Sequence, residues 1–119
     1  KYGKIINIGS TTMMTGLINR LHYTTAKGAI LAMTRSLAAE LGSDGIRVNT
    51  FAYGLITSQL NEADFRNDPE REAGMLGARA IPTHVKAEDL DGSIVYLAAP
   101  ASDHMTGQVL VVNAGEYFY

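Results

Sequence analysis

At 119 residues, with 46% hydrophobic and 18% charged side chains, the chain has the balance of one globular domain or a piece of a larger one, which excludes a long disordered tail and a collagen-like fibre. Ten Lys and Arg against twelve Asp and Glu leave a net charge of −2, so no basic field exists to grip a phosphate backbone, and nucleic acid is not an expected partner. Zero Cys exclude a disulfide framework and a thiolate nucleophile, and no apolar run approaches the roughly 18 residues of a membrane span, so no membrane partner is expected and a cytoplasmic location is.

Lys1-Tyr2-Gly3-Lys4 leads straight into an apolar run with no initiator Met, which reads as a fragment. Ile5-Ile6-Asn7-Ile8, bounded by Gly3 and by Gly9-Ser10-Thr11-Thr12, has the β-branched composition and flanking turn residues of a buried strand. From Leu21 to Leu41 the period becomes helical: Ala26, Ile30, Met33, Leu37 and Leu41 recur at three- and four-residue steps, and Gly42 supplies a stop. A second stripe on this helix, Ala29, Ala32, Ser36 and Ala39, is small enough to admit another helix, from the same domain or from a partner subunit. Ile46 to Ala52, after Ser43-Asp44-Gly45, reads as a second strand, and strand, helix, strand in that order is a βαβ unit with parallel strands.

The stretch from Gln59 to about Pro82 is rich in Asn, Asp, Glu and Gly, which predicts a mobile segment with short helical pieces and no core element. Ala87 to Ala99 reads as a further helix ended by Pro100, with Leu90, Ile94, Tyr96, Leu97 and Ala98 apolar. Val109-Leu110-Val111-Val112, after Thr106-Gly107-Gln108, reads as a third strand. Strands interleaved with helices make an α/β fold with a parallel sheet covered on both faces. Ligands of such sheets sit beyond the carboxyl ends of the strands, where Ser10 and Thr11 follow the first strand and Gly54 to Ser58 the second.

Tyr23 and Lys27 lie four apart on the long helix, about one turn apart on one face. Alone, such a pair is an ordinary solvated contact. Here it opens a helix whose preceding strand ends in a hydroxyl residue, Ser10. A phenol titrates near 10 and moves protons poorly at neutral pH unless a nearby cation favours the phenolate. With Lys27 as that cation, Tyr23 could donate a proton to a carbonyl or remove one from an alcohol while Ser10 holds the same oxygen.

Gly3 to Ser10, Tyr23-Thr24-Thr25-Ala26-Lys27-Gly28-Ala29, Leu37 to Leu41, Gly45 to Asn49 and Thr106 to Leu110 together resemble the C-terminal half of a short-chain dehydrogenase/reductase. The resemblance implies that residues 1–119 are the C-terminal portion of one NAD(P)-binding Rossmann-type, doubly wound parallel sheet, with the glycine-rich nucleotide-binding half absent. It implies hydride transfer between NAD or NADP and a small-molecule carbonyl or secondary alcohol. Ser10, Tyr23 and Lys27 are then catalytic: Ser10 binds the substrate oxygen, Tyr23 transfers the proton, and Lys27 lowers the pKa of Tyr23 and binds the nicotinamide ribose. Tyr23, Lys27, Gly54, Ile56 and Ser58 would contact the cofactor, with Tyr53 in place of the usual Pro and Ser58 at the usual hydroxyl position. Gly9 replaces a common Ser, and Asn113-Ala114-Gly115 stands where Asp-Gly-Gly is common. A homo-oligomer, dimer or tetramer, is implied for the full-length form. A non-catalytic nucleotide-sensing or binding subunit of the same fold, or an inactive truncated fragment, is the alternative.

The other polar residues carry blander readings. His22, beside Tyr23, is either a substrate-pocket residue or a surface histidine at the helix start. His84 and Glu88, four apart with no third ligand, make a polar contact and not a metal site, and no catalytic metal is expected. Glu62 to Glu72 reads as a solvated acidic face, and Tyr117-Phe118-Tyr119 as an aromatic end that packs on a neighbour or frays. If the first strand normally pairs with a missing one, Ile5, Ile6 and Ile8 lie on an unprotected edge and the isolated chain should fold weakly.

Overall fold

A computed structural model describes residues 1–58 and 61–119. Strands β1 (Gly3–Ile8), β2 (Ile46–Tyr53) and β3 (Val109–Val112) form one sheet in the order β1-β2-β3, parallel throughout. Gly3 is in register with Ile46 and Ile8 with Phe51, while Thr50 to Tyr53 pair with Val109 to Val112. As the middle strand, β2 is buried from Val48 to Ala52. Its side chains alternate between two covered faces, as a parallel sheet requires.

Helix α2 (Leu21–Leu41) covers one face. There the contact is polar and fully paired: Thr34 Oγ1 donates to the Ile30 carbonyl at 2.8 Å, lies 2.8 Å from Thr50 Oγ1, and accepts from Asn7 Nδ2 at 2.9 Å. Thr34 and Thr50 have no solvent exposure, so these bonds offset the cost of burying their hydroxyls and fix α2 in register against β1 and β2. Helix α5 (Asp91–Ala98) covers the opposite face, where Phe51, Val85, Leu90 and Leu97 form the apolar core and Ile6, Ile94 and Leu110 pack around it. Burying Phe51 and Leu97 stabilises the fold by about 2 kcal/mol each.

All three expected strands and the helix Leu21–Leu41 form, but β1 is not the buried strand expected, since none of its residues is buried and Ile5 and Ile8 are exposed on the edge of the sheet, and the side of α2 that faces the sheet is rotated from the apolar stripe. Thr34 and Ala38 are buried, whereas Ala26 and Met33 are exposed, because the sheet offers α2 hydroxyls to bond as well as apolar surface. Ala29, Ala32, Ser36 and Ala39 all lie on the exposed side. The chain also does not stop at Gly42: a 3-10 turn, Gly42–Asp44, carries it on to Gly45, whose φ of 76° makes the left-handed turn into β2. The helix expected from Ala87 starts instead as a 3-10 turn over Ala87–Leu90, with Asp89 Oδ2 accepting from the Lys86 N–H at 2.8 Å. Within α5, Val95 and Tyr96 are exposed and Leu97 carries the core contact.

Among its described residues the polar segment contains two helices, α3 (Glu62–Asn67) and α4 (Pro69–Gly77); Gln59 and Leu60 of the expected range lie outside the described residues. It contributes to the interior after all. Phe65 is 3% exposed, and the Arg79 side chain is buried, bonding the carbonyls of Thr83 and Leu55. At the amino ends of the strands, Lys4 Nζ bonds Ser102 Oγ at 3.0 Å and Asp103 Oδ1 at 2.8 Å, and Tyr2 donates to the same carboxylate. These bonds hold the Asp103 carboxyl below the usual carboxylate range, first through Lys4 and then through Tyr2. A short helix, α1 (Thr12–Thr15), links β1 to α2. No helix among the described residues is long and apolar enough to cross a membrane.

Candidate active site at the carboxyl edge of the sheet

Parallel strands end on one side, so the residues following β1, β2 and β3 share an edge. Gly9 donates to the Phe51 carbonyl at 2.8 Å and Thr11 to the Tyr53 carbonyl at 3.3 Å, which carries the chain after β1 alongside the end of β2. Gly54 in turn donates to the Val112 carbonyl at 3.1 Å. Ser10, Gly54 and Asn113 are therefore the first or second residues beyond three adjacent strands.

Ser10 is 8% exposed and starts the turn into α1, with Ser10 Oγ accepting from the Thr12 N–H at 3.3 Å and from Thr12 Oγ1 at 3.0 Å. Both bonds use the oxygen's lone pairs. The Ser10 hydrogen has no acceptor among the described residues, which leaves one donor for a ligand oxygen. Gly9 is required by its neighbours: a Cβ there would lie 2.6 Å from Thr50 Cγ2 and 3.4 Å from Ala52 Cβ. The β-branched Thr50 fills the space that a larger residue at position 9 would need.

Tyr23 and Lys27 stand on the first two turns of α2. Lys27 Nζ donates to the carbonyl of Ile8, the last residue of β1, at 2.9 Å, and lies 5.7 Å from the centroid of the Tyr23 ring. An ammonium carries three donors, so anchoring to Ile8 leaves two more for other oxygens. Tyr23 is 39% exposed, so its phenol faces open space at this edge. Lys27 thus stands beside the Tyr23 ring and at the end of β1, two residues before Ser10.

His22 lines a cleft of about 550 Å3 with Gly16, Leu17, Asn19, Leu21 and Thr24, where Thr24 Oγ1 is buried without a partner among the described residues. Tyr23 does not line it. Asn19 in this loop has a φ of 59°, the left-handed region in which Asn is among the better tolerated residues.

The loop after β2 is held by its backbone. Leu55 and Ile56 carbonyls accept from Arg79 and from Asn61 Nδ2, and the Thr57 and Ser58 N–H groups donate to the Val85 carbonyl and to Asn61 Oδ1, each at 2.8 Å. Among the described residues the N–H groups of Leu55 and Ile56 have no acceptor, which makes them the open donors of this loop. Gly54 packs so closely on the segment after β3 that a Cβ would sit 3.1 Å from Asn113 Cβ. Thr57 Oγ1 is taken by His84 Nδ1 at 2.7 Å, which leaves the hydroxyl of Ser58 as the one at the expected position.

Two sequence expectations change. The carboxylate partner of His84 is Glu72, at 2.7 Å from Nε2, and not Glu88, because α4 folds back over the loop while Glu88 lies in the turn before α5. In the acidic stretch Glu62, Asp64, Asp68 and Glu70 are exposed as expected, Glu62 pairing with Arg66 at the surface, and Glu72 alone departs from a solvated face through its bond to His84. Sequence reasoning missed Arg79, Asn61 and the Thr57–His84 pair. A buried arginine in a polar stretch leaves no periodic trace, and residues 27 apart have no spacing to betray them.

A three-stranded parallel sheet covered on both faces, with polar groups gathered beyond its carboxyl ends, belongs to the doubly wound α/β class. Residues 1–116 match the family described as enoyl-(acyl carrier protein) reductase. The chain is 38% identical to a 3-oxoacyl-(acyl-carrier-protein) reductase of Rickettsia bellii over 97% of its length and 46% of that protein's. It is also 38% identical to a 2-dehydro-3-deoxy-D-gluconate 5-dehydrogenase of Bacillus subtilis over 96% of its length and 44% of that protein's. The crystal structure of a putative 2-deoxy-D-gluconate 3-dehydrogenase from Agrobacterium tumefaciens, with bound NADP, superposes with a TM-score of 0.90 at 34% identity, covering 98% of this chain and 47% of that one. The chain belongs to the short-chain dehydrogenase/reductase family. It spans a little under half the length of these relatives.

Proposed function

We propose that this chain carries the proton-transfer half of a nicotinamide-dependent oxidoreductase that interconverts a carbonyl and a secondary alcohol. The observation that carries this reading is the anchoring of Lys27 on the Ile8 carbonyl, which holds its amine beside the Tyr23 ring and two residues from Ser10. The fit to NAD or NADP rests on the donor set at the same edge: two ammonium hydrogens on Lys27 and the open N–H groups of Leu55 and Ile56, with the Ser58 hydroxyl beside them. Those groups suit a ribose hydroxyl and a carboxamide oxygen. No Gly-x-Gly-x-x-Gly run occurs among these 119 residues, so this donor set accounts for the nicotinamide end of the cofactor alone.

The cofactor, when bound, supplies or accepts the hydride. In the reducing direction, Ser10 donates its free hydrogen to the substrate oxygen and Tyr23 gives that oxygen the proton. In the oxidising direction Tyr23 removes the proton from the alcohol. The same two roles, a fixed hydrogen-bond donor and a mobile proton at one oxygen, account for the pairing of a buried serine with an exposed tyrosine. His22, at the mouth of the adjoining cleft, would contact the rest of the substrate.

The test is an assay of reduced nicotinamide absorbance with the complete gene product, offered sugar acids and 3-oxoacyl thioesters with NADH and with NADPH. Turnover of a carbonyl or secondary alcohol, lowered by Ser10→Ala, is expected. Turnover unaffected by Ser10→Ala would remove Ser10 from its role, and cofactor binding without turnover of any carbonyl would favour the nucleotide-sensing alternative.

A further inference from the structure

The side chains that meet at His84 come from four separate stretches of chain. Thr57 Oγ1 lies 2.7 Å from Nδ1, Glu72 Oε1 lies 2.7 Å from Nε2, and the Phe65 ring meets the imidazole edge-on with centroids 5.9 Å apart. Thr57 belongs to the loop after β2, Phe65 to α3 and Glu72 to α4, while His84 itself precedes the short bridge at which Lys86 pairs with Thr57. Lys86, Arg66 and Glu62 line the same cleft of about 210 Å3. A hydroxyl, an imidazole and a carboxylate in this order could activate a nucleophile. Here the Thr57 N–H is already given to the Val85 carbonyl, so the hydroxyl has no backbone donor of its own residue to stabilise an oxyanion. The array has the makings of a brace.

We propose that His84 is a positioning residue for cofactor binding, its imidazole fastening the loop of residues 54–58 to helix α4. This rests on the reading of that loop as the cofactor contact. The loop presents Leu55 and Ile56 N–H and the Ser58 hydroxyl, and each of these can serve only if the backbone between them stays in one conformation. Asn61 fixes the loop through Ile56 and Ser58, and Arg79 fixes it through Leu55. Among the described residues Thr57 is the one of these five whose side chain is tied to α4, and it is tied through the His84 ring and Glu72. Losing that ring frees the side chain at the loop's centre while leaving β2 and the core untouched. The consequence is weaker cofactor binding with little change in the chemical step.

The experiment uses the complete gene product and four variants. His84→Phe keeps the ring contact with Phe65 and removes both hydrogen bonds; Thr57→Val removes the hydroxyl; Glu72→Gln keeps an acceptor for Nε2. The cofactor KM should rise about tenfold in His84→Phe, the worth of one to two hydrogen bonds, with kcat within about threefold of wild type. Thr57→Val should move in the same direction, the Thr57→Val/His84→Phe double variant should be no worse than His84→Phe, and Glu72→Gln should stay near wild type. Amide hydrogen exchange without cofactor should quicken at Thr57 and Ser58 and stay unchanged in β1 and β2. Wild-type cofactor KM and wild-type exchange in both single variants, or additive effects in the double variant, would overturn the proposal. If His84→Phe does not fold, Thr57→Val, which removes a single hydroxyl, decides on the same criteria. If the wild-type protein transfers no hydride, the cofactor reading of the loop fails, and unaltered exchange in Thr57→Val overturns the brace as well, whereas quickened exchange upholds it.

Discussion

Gly9 offers the sharpest test of how closely the end of β1 is built against β2. A methyl at position 9 would sit 2.6 Å from Thr50 Cγ2 and 3.3 Å from Met13 Cε, against about 3.5–4.0 Å for a comfortable carbon contact. Met13 can swing aside. Thr50 cannot, because its side chain is fully buried and rotating it would break the 2.8 Å contact with Thr34 Oγ1. Gly9→Ala should therefore cost about 1–3 kcal/mol, the usual range for overpacking a filled site. Thr50→Ser removes the offending methyl and keeps the hydroxyl; alone it should cost about 1 kcal/mol for the lost buried methyl. Combined, the two should couple favourably by about 1–2 kcal/mol, so that the double variant is more stable than the sum predicts. Urea unfolding of the complete gene product for the four species measures this. A Gly9→Ala variant within about 0.5 kcal/mol of wild type, or strict additivity, would refute the packing argument. The same clash adjoins Ser10, so Gly9→Ala should also lower kcat, and Thr50→Ser should restore part of it.

Lys27→Ala should raise the cofactor Kd and lower kcat together, since on the proposed reading the amine anchored on Ile8 lies beside the Tyr23 ring and offers its remaining donors to the cofactor; cofactor titration and steady-state rates on one preparation separate the two, and loss of only one effect would split the proposed role. Asp103 is held below the ordinary carboxylate range by Lys4 and Tyr2, so its stabilisation is present above the unfolded pKa and is lost as pH falls through the depressed folded value. Asp103→Asn should be less stable than wild type at neutral pH and should lose less on acidification, as thermal unfolding across acid pH would record; parallel curves would contradict the assignment. The 119 residues expressed alone should be poorly soluble, because β1 is an edge strand with Ile5 and Ile8 37% and 41% exposed. A cooperative, monomeric thermal transition would count against that expectation.

What the sequence made legible followed local pattern. The Ile-rich run before Ser10, the long helical period to Leu41 and the valine run at 109–112 each declare themselves within a few residues, and parallel pairing then puts Ser10 and Gly54 at one edge. Tyr23 and Lys27 were legible because a helix turns four-residue spacing into proximity. The face of α2 was not, since Thr34 packs inward only because Thr50 and Asn7 offer it bonds from two strands. Arg79 and His84 were hidden for a related reason. Their partners lie 24, 27 and 12 residues away at Leu55, Thr57 and Glu72, and folding alone brings them together.

The most direct measurement compares wild type and Tyr23→Phe in the complete gene product, following turnover and cofactor binding side by side. Removing one phenolic oxygen should cut turnover by about a thousandfold or more, the upper reach of general acid–base catalysis, while the cofactor Kd stays within about twofold. Turnover close to wild type in Tyr23→Phe would contradict proton transfer by this residue and, with it, the reading of the carboxyl edge as a reducing site.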